Sequence, residues 1–405
     1  MHDVVIVGGG PVGMVLASLL AVRGIDVEVL EQRAEPSMRS RAIGIHPPAI
    51  AALALIGVAD EVIARAVQIG SGEVRCDGRT LGRLSFAKAK ARYPFVVALP
   101  QYETEGLLRK RFDELRPGGL RGGVTVVGVH ERGDHLELET ERDGTVEARF
   151  VVAADGARSR VRTAVGIGWL ERGHGETYLM GDYADTGIDT GTDADTGIDT
   201  GDYADTGIDT HADEYSSIAV LFFERGGVVE SFPLPNARRR WVAMTDGLAT
   251  DATSAELAAI IRSRTGVDLP LSTDQPSAFA VHQRLADRMI AGRVALVGDA
   301  AHEISPIGGQ GMNLGWLDAV ALAPALERAL SEPHSAADAA ASVLADYDRR
   351  RRRAARMAAR QAGFNMAMGR PANGLRLHAR NALVRTLAVP PARGILVRAF
   401  TMRWL

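Results

Sequence analysis

Cysteine is all but missing from this sequence: Cys76 stands alone among 405 residues. No internal disulfide can form, and no cysteine-based zinc site can be assembled. A reducing cytoplasm is the expected compartment. Lysine occurs only at Lys88, Lys90 and Lys110, so arginine is the default cation. Aromatic residues make up 5% of the chain and do not interleave with the arginines as a base-stacking surface requires, so nucleic acid is not an expected partner. No run reaches the about 18 apolar residues of a membrane-spanning helix. Met1-His2-Asp3 leads straight into a short apolar run with no basic leader or cleavage signal. Secreted, disulfide-stapled, integral-membrane and fibrous classes are therefore not expected.

What the chain does have is apolar substance. Hydrophobic residues are 46% of it, enough for large cores, and its length suggests two or three domains at about 150 residues each. The formal net charge of −3 hides an asymmetry. Residues 349–405 hold 14 arginines and no acid, opening with five in a row from Arg349 to Arg353, so the preceding 348 residues sum to −17. The expectation is helices whose arginines face solvent and whose apolar residues pack on the rest of the protein. Weak contact with an anionic membrane surface is the alternative.

Asp3–Val7 is a continuous apolar run, as a buried parallel strand requires. Gly8-Gly9-Gly10-Pro11-Val12-Gly13 follows, then a helix over Met14–Arg23 and a second strand over Asp26–Leu30 ending at Glu31. This is a βαβ unit of about 30 residues. Val124–Glu131, His135–Glu141 and Thr145–Ala153 alternate with period two between turn sequences and predict an antiparallel meander. Residues 293–297 predict another short strand, 311–330 a helix, and the Ala/Arg-rich 338–369 a further helix. The fold class expected is α/β: a Rossmann-like dinucleotide-binding domain (1–70, 98–165, 281–330) with an inserted strand-rich substrate domain (71–97, 166–280) and C-terminal helices (331–405).

One stretch repeats. Residues 181–190 read GDYADTGIDT, 191–200 read GTDADTGIDT, and 201–210 repeat the first copy letter for letter. Ten aspartates fall between Asp182 and Asp213, with no lysine or arginine among them. Only Asp193 and Asp195 have the alternate spacing of a calcium loop. The expectation is a loop lengthened by sequence duplication at 181–210, and no metal.

Three motifs carry chemistry. In Gly8-x-Gly10-x-x-Gly13, glycine permits the sharp turn, the approach of backbone to a pyrophosphate, and close helix–strand packing. The helix N-terminus directs free N–H groups at the phosphates. Glu31 sits where a carboxylate can accept both hydroxyls of an adenosine ribose and would disfavour a 2′-phosphate, which points to FAD or NAD as the bound dinucleotide. In the second motif, residues 298–313, a strand end delivers Asp299 to ribityl or ribose hydroxyls. A glycine-dense turn then opens a helix whose amides near Gly311, Met312 and Asn313 can face an anion-like group. The third, Asp155-Gly156-Ala157-Arg158, reads by itself as a polar turn.

Together, in this order and spacing, the motifs resemble the class A flavoprotein monooxygenases, the aromatic hydroxylases similar to p-hydroxybenzoate hydroxylase and the ubiquinone-biosynthesis hydroxylases. The likeness runs from about Asp3 to Ala329. It implies a FAD-binding domain of the GR2 type holding tightly bound, non-covalent FAD. By position, Gly8, Gly10, Val12 and Gly13 would lie near the pyrophosphate and Glu31 at the adenosine ribose. Arg33, Arg41 and Gln101 would also contact FAD. Asp299 would hold the ribityl or pyrophosphate region, and the amides of Gly311, Met312 and Asn313 the flavin ring edge. Asp155 and Arg158 belong to the segment that the family uses for FAD and for transient NAD(P)H contact. The decapeptide insertion and the chain after about Gly369 depart from the family pattern.

The activity implied is that of a single-component oxidoreductase. NAD(P)H reduces FAD, O₂ adds to give a flavin C4a-hydroperoxide, and oxygen is transferred to an aromatic, phenolic or polyketide-like small molecule. Pro306 would line the flavin face. His46, in His46-Pro47-Pro48, is the nearest motif-linked titratable group, although a packed or turn-capping histidine explains it as well. An oxidoreductase of the same fold without oxygen transfer, and an epoxidising or Baeyer–Villiger variant, stay open. A halogenase is disfavoured, since no two of the four tryptophans are two residues apart. An NAD-only dehydrogenase would leave residues 298–313 without a role.

Overall fold

The computed structural model describes residues 1–37, 42–86, 92–171, 175–187, 217–305, 309–331 and 337–390, with 392, 394, 397, 401 and 402. Strand His2–Val7 lies at the middle of an eight-stranded sheet, parallel to Val27–Glu31 on one side and to Thr145–Ala153 on the other. Leu120–Gly122 and Val294–Leu296 extend the parallel part outward. Val4, Val5 and Ile6 are completely buried, as an unbroken β-branched run in a covered sheet must be. Helix Pro11–Ala21 begins three residues earlier than the pattern of apolar residues suggested. Pro11 occupies its first turn, where the fixed φ favours the helix and no N–H is missed. That helix packs between Gln101–Leu115 and Gln310–Ser331.

Strand Thr145–Ala153 belongs to two layers of pairing. Its first half closes the antiparallel meander with His135–Thr140 and Val126–Arg132, and its second half continues as a parallel neighbour of His2–Val7. The meander sends Leu136, Leu138 and Val146 into the main core.

A second, seven-stranded sheet runs in the order Ser277–Val281, Glu176–Ala184, Arg238–Thr245, Gly227–Leu234, Ile218–Glu224, Ser71–Cys76 and Arg79–Ser85. Segments far apart in sequence join here through parallel pairing of Ile218–Glu224 with Ser71–Cys76. Helix Ser254–Thr265 starts in a capping box at Thr253 and covers one face of the sheet, packing Leu257 and Ile261 on Leu179, Tyr183 and Trp241.

Two expectations need correction. The repeat does not begin in a loop: Gly181–Ala184 is the end of a strand. It is held there because Asp182 receives both Nε and Nη2 of Arg240, at 2.6 and 2.8 Å, and Asp185 receives Nε of Arg239 at 3.1 Å. The rest of the repeat from residue 188 lies outside the described residues. Among the described residues, most of the C-terminal arginines do lie on helices, Ala337–Gly369 and Gly374–Ala388, but not all of these face solvent. Arg349 and Arg350 are 72% and 69% exposed, whereas Arg351 is 9% exposed and pairs with Asp318. Arg380 is also buried and donates to the carbonyls of Met368 and Arg370. A helix in contact over much of its length turns some of five consecutive residues inward, and those must find acceptors. Among the described residues, no helix is long and apolar enough to cross a membrane.

Candidate functional site

The first glycine turn is built by close approach. Gly8 has φ +112°, and a Cβ there would lie 2.3 Å from the Ala154 carbonyl oxygen. A Cβ on Gly13 would lie 2.0 Å from the Gly8 oxygen, so the helix can start where it does only without a side chain. Gly10 has nothing within 4 Å on its side-chain side, which leaves open space at the helix N-terminus. Glu31 accepts from Gly9 N–H at 2.7 Å and from both backbone and Nε of Arg33 at 3.0 Å. Burial pushes its carboxyl up, yet these hydrogen bonds together hold it below the usual range. Glu31 is thus an anion fixed by the turn it serves.

The second turn is locked from behind. Asp318, completely buried on helix Gln310–Ser331, accepts from Gly298 N–H at 3.1 Å, pairs with His302 Nε2 at 2.5 Å and accepts from Arg351 Nε at 2.7 Å. Burial pushes this carboxyl up, but His302 and Arg351 outweigh it and keep it low. Asp299 remains exposed on the short turn Gly298–Ala300, facing a cavity. Asn313 sits behind the cavity wall. Its side chain accepts from His46 N–H at 2.8 Å and donates to the Gly44 and Gly309 carbonyls at 2.8 and 2.6 Å. Gly311 and Met312 line the cavity itself.

Side chains tie these turns to one another. Trp316 Nε1 donates to the Pro11 carbonyl at 3.0 Å, and Val12 seats against Gly298 and Gly315. Arg162 lies 4.0 Å over the Trp169 ring and donates to the Ala157 and Ala300 carbonyls, joining the third motif to the second. Asp155 Oδ2 accepts from the Arg160 and Val161 amides at 2.9 and 3.3 Å. Burial raises its pKa, and Oδ1 is buried with no partner among the described residues. Gln101 accepts from Ala42 N–H at 3.3 Å, donates to Glu105, and also lines the cavity. His46 is buried ahead of helix Pro47–Ala54 and also lines the cavity. Arg41 and Pro306 lie outside the described residues.

One cavity of about 800 Å³ spans all of this. Its lining takes in Gly8, Gly10, Glu31 and Arg33 around the first glycine turn, Asp155, Asp299, Gly311 and Met312 from the other two motifs, and side chains of the second sheet. The residues fit FAD. Open space stands at the N-terminus of an eleven-residue helix, the fixed carboxylate of Glu31 lines the same cavity, and Asp155, which also lines it, keeps a buried carboxyl oxygen with no hydrogen-bond partner among the described residues. The second sheet contributes Tyr178, Met180, Glu230, Phe232 and Val242, none of which stood out in the sequence. Tyr178 stacks on Phe279 at 5.6 Å between ring centres. Glu230 had one available signal, a lone charge inside the apolar strand Gly227–Leu234.

A family model described as "FAD binding domain" matches residues 1–362. The chain is 33% identical over 335 residues to 6-methylpretetramide 4-monooxygenase of Streptomyces rimosus, covering 79% of this chain and 55% of that protein. It is 28% identical over 337 residues to para-nitrophenol 4-monooxygenase of Pseudomonas sp. strain WBC-3, covering 80% and 78%. Among solved structures, anhydrotetracycline hydroxylase from Streptomyces rimosus superposes with TM-score 0.76 at 27% identity, over 99% of this chain and 76% of that one. The chain spans only 55–62% of the length of three of the curated relatives it matches.

Proposed function

This chain belongs to the FAD binding domain family, and from that premise we propose that it is a FAD-dependent monooxygenase. Its substrate is a small aromatic molecule, phenolic or polyketide-like, and its electron donor is NAD(P)H. The observation that carries the reading is the single cavity running from the two glycine turns to an aromatic sheet face. A dinucleotide end and an apolar pocket share one enclosure, as a reaction between cofactor and organic substrate needs.

Bound FAD would supply the activation of dioxygen and the transfer of one oxygen atom. The chain's residues bind, orient and exclude water. The N-terminus of helix Pro11–Ala21 would take the pyrophosphate, and Glu31, set by Gly9 and Arg33, the adenosine ribose. Asp299 and Asp155 would receive hydroxyls along the middle of the cavity. The start of helix Gln310–Ser331, at Gly311 and Met312, offers amides to negative charge on the ring edge. Asn313 is a positioning residue, since its side chain holds the strand before His46 against the turn at Gly309. Phe232, Met180 and Val242 wall off water from the reacting end.

The test is to load the purified protein with FAD and follow NADH and NADPH oxidation across a panel of phenols and polycyclic quinones, weighing the products. A yellow protein that gives a product heavier by one oxygen atom is the expected result. Stimulated oxidation of NAD(P)H with no oxygenated product from any compound would favour an oxidoreductase without oxygen transfer. A colourless protein that refuses added FAD would overturn the whole reading.

A further inference from the structure

Strand Gly227–Leu234 is central in the second sheet, and its alternation turns Val228, Glu230, Phe232 and Leu234 to one face. Glu230 stands opposite Leu221 on one neighbouring strand and Val242 on the other. It is 4% exposed, lines the cavity, and its Oε1 has no hydrogen-bond partner among the described residues. A leucine at this position would suit the strand better, because a buried carboxyl without a partner opposes folding. Such a group persists where it serves a ligand.

Building on the proposed monooxygenase reading, we propose that Glu230 is the substrate-recognition group of the cavity and pairs with a hydroxyl on an uncharged, flat aromatic substrate. The surroundings specify that class. Tyr178 and Phe279 stack with 19° between their planes and form a flat wall for a ring. Arg240 is the one cation that the strands of this sheet contribute to the cavity among the described residues, and both oxygens of Asp182 hold it. An aromatic carboxylate would leave water for a wall whose cation is already engaged, at a large desolvation cost. A hydroxyl, by contrast, both donates and accepts, and so does a protonated carboxyl. Burial alone pushes Glu230 up to about 8, so near neutral pH it offers both functions. Tyr178 keeps its proton, chiefly through burial and with the Glu176 carboxylate beside it, and adds a second donor at the same wall.

The experiment uses three matched probes on the full-length protein with and without added FAD: 2-naphthol, 2-methoxynaphthalene and 2-naphthoate, each titrated by its own fluorescence anisotropy. Wild-type protein should bind 2-naphthol about tenfold more tightly than the ether, the scale of one hydrogen bond, and the carboxylate more weakly than the naphthol. Glu230→Leu should reduce the naphthol-to-ether preference to within about twofold while flavin absorbance stays at the wild-type level. Glu230→Gln, which keeps a donor and an acceptor, should retain most of the preference. Retention of the preference in Glu230→Leu, tighter binding of naphthoate than naphthol by wild type, or no naphthol binding at all would overturn the proposal. So would failure of Glu230→Leu to fold, since the argument requires that variant to be the more stable protein. Flavin absorbance is read separately, so loss of the FAD reading and loss of the Glu230 reading give different results.

Discussion

The buried carboxyl of Glu230 makes the stability of this protein depend on pH in a defined direction. In the unfolded chain it loses its proton near its ordinary 4.5, whereas burial in the fold holds the proton up to about 8. Below 4.5 both states are protonated and the group contributes no slope. Between 4.5 and 8 the folded state alone carries the proton, so stability falls as pH rises, by about 1.4 kcal/mol per pH unit. Across the whole interval the loss is about 5 kcal/mol, and above 8 it levels off. Glu230→Gln keeps the shape and removes the titration, while Tyr178 and Arg240, which line the same cavity, and Asp182, which holds Arg240, are present in both proteins. Urea unfolding of the two, in excess FAD between pH 5 and 8.5, isolates the term as the difference between their curves. Wild type should lose about 4 kcal/mol relative to Glu230→Gln between pH 5 and 8. Parallel curves would show that water or a rearranged partner solvates the carboxylate, and the reasoning would fail.

Other perturbations act on the cofactor end. Gly13→Ala places a Cβ 2.0 Å from the Gly8 oxygen, so the turn must open, and FAD affinity measured by calorimetry should fall at least about tenfold; wild-type affinity would refute the close-packing argument. Asp318→Asn leaves Arg351 and His302 buried beside a neutral amide and should cost about 3–5 kcal/mol in urea unfolding. Asp318→Leu with Arg351→Met should recover most of that loss, and a single variant costing less than about 1 kcal/mol would be incompatible with a buried pair. Because Asp318 is held below its ordinary 3.8, its contribution is complete at neutral pH and is lost only as pH falls through its lowered value, which acid unfolding of the same variants would detect. Asp299→Ala should release flavin during gel filtration without changing the urea midpoint of the FAD-free protein, since its side chain is exposed to the cavity; retained flavin would remove Asp299 from the site.

Much of the architecture was legible in the chain because it is decided by neighbours in sequence. The apolar run before Gly8, the glycine spacing, the acid at Glu31 and the period-two meander each encode geometry within a few residues, and each element forms close to where the pattern puts it. The site was legible where its chemistry is carried by backbone turns. It was not where side chains meet across long separations. Trp316 reaching Pro11, Asp318 gathering Gly298, His302 and Arg351, and Asn313 bridging Gly44 and Gly309 are pairings that no local pattern contains. Asn313 illustrates the difference, since the motif marked its amide while the fold uses its side chain as a clamp. Among the arginines, composition predicted helices, but only packing determined that Arg351 and Arg380 turn inward. The same holds for Glu230, whose place on the cavity wall depends on strand register and on which face helix Ser254–Thr265 covers. Sequence alone thus determined the glycine turns that line the cavity, because they are local backbone geometry. Tertiary structure decided the sheet wall of the cavity and the buried charge cluster, because burial and pairing are properties of the assembled sheets and helices and not of any one segment.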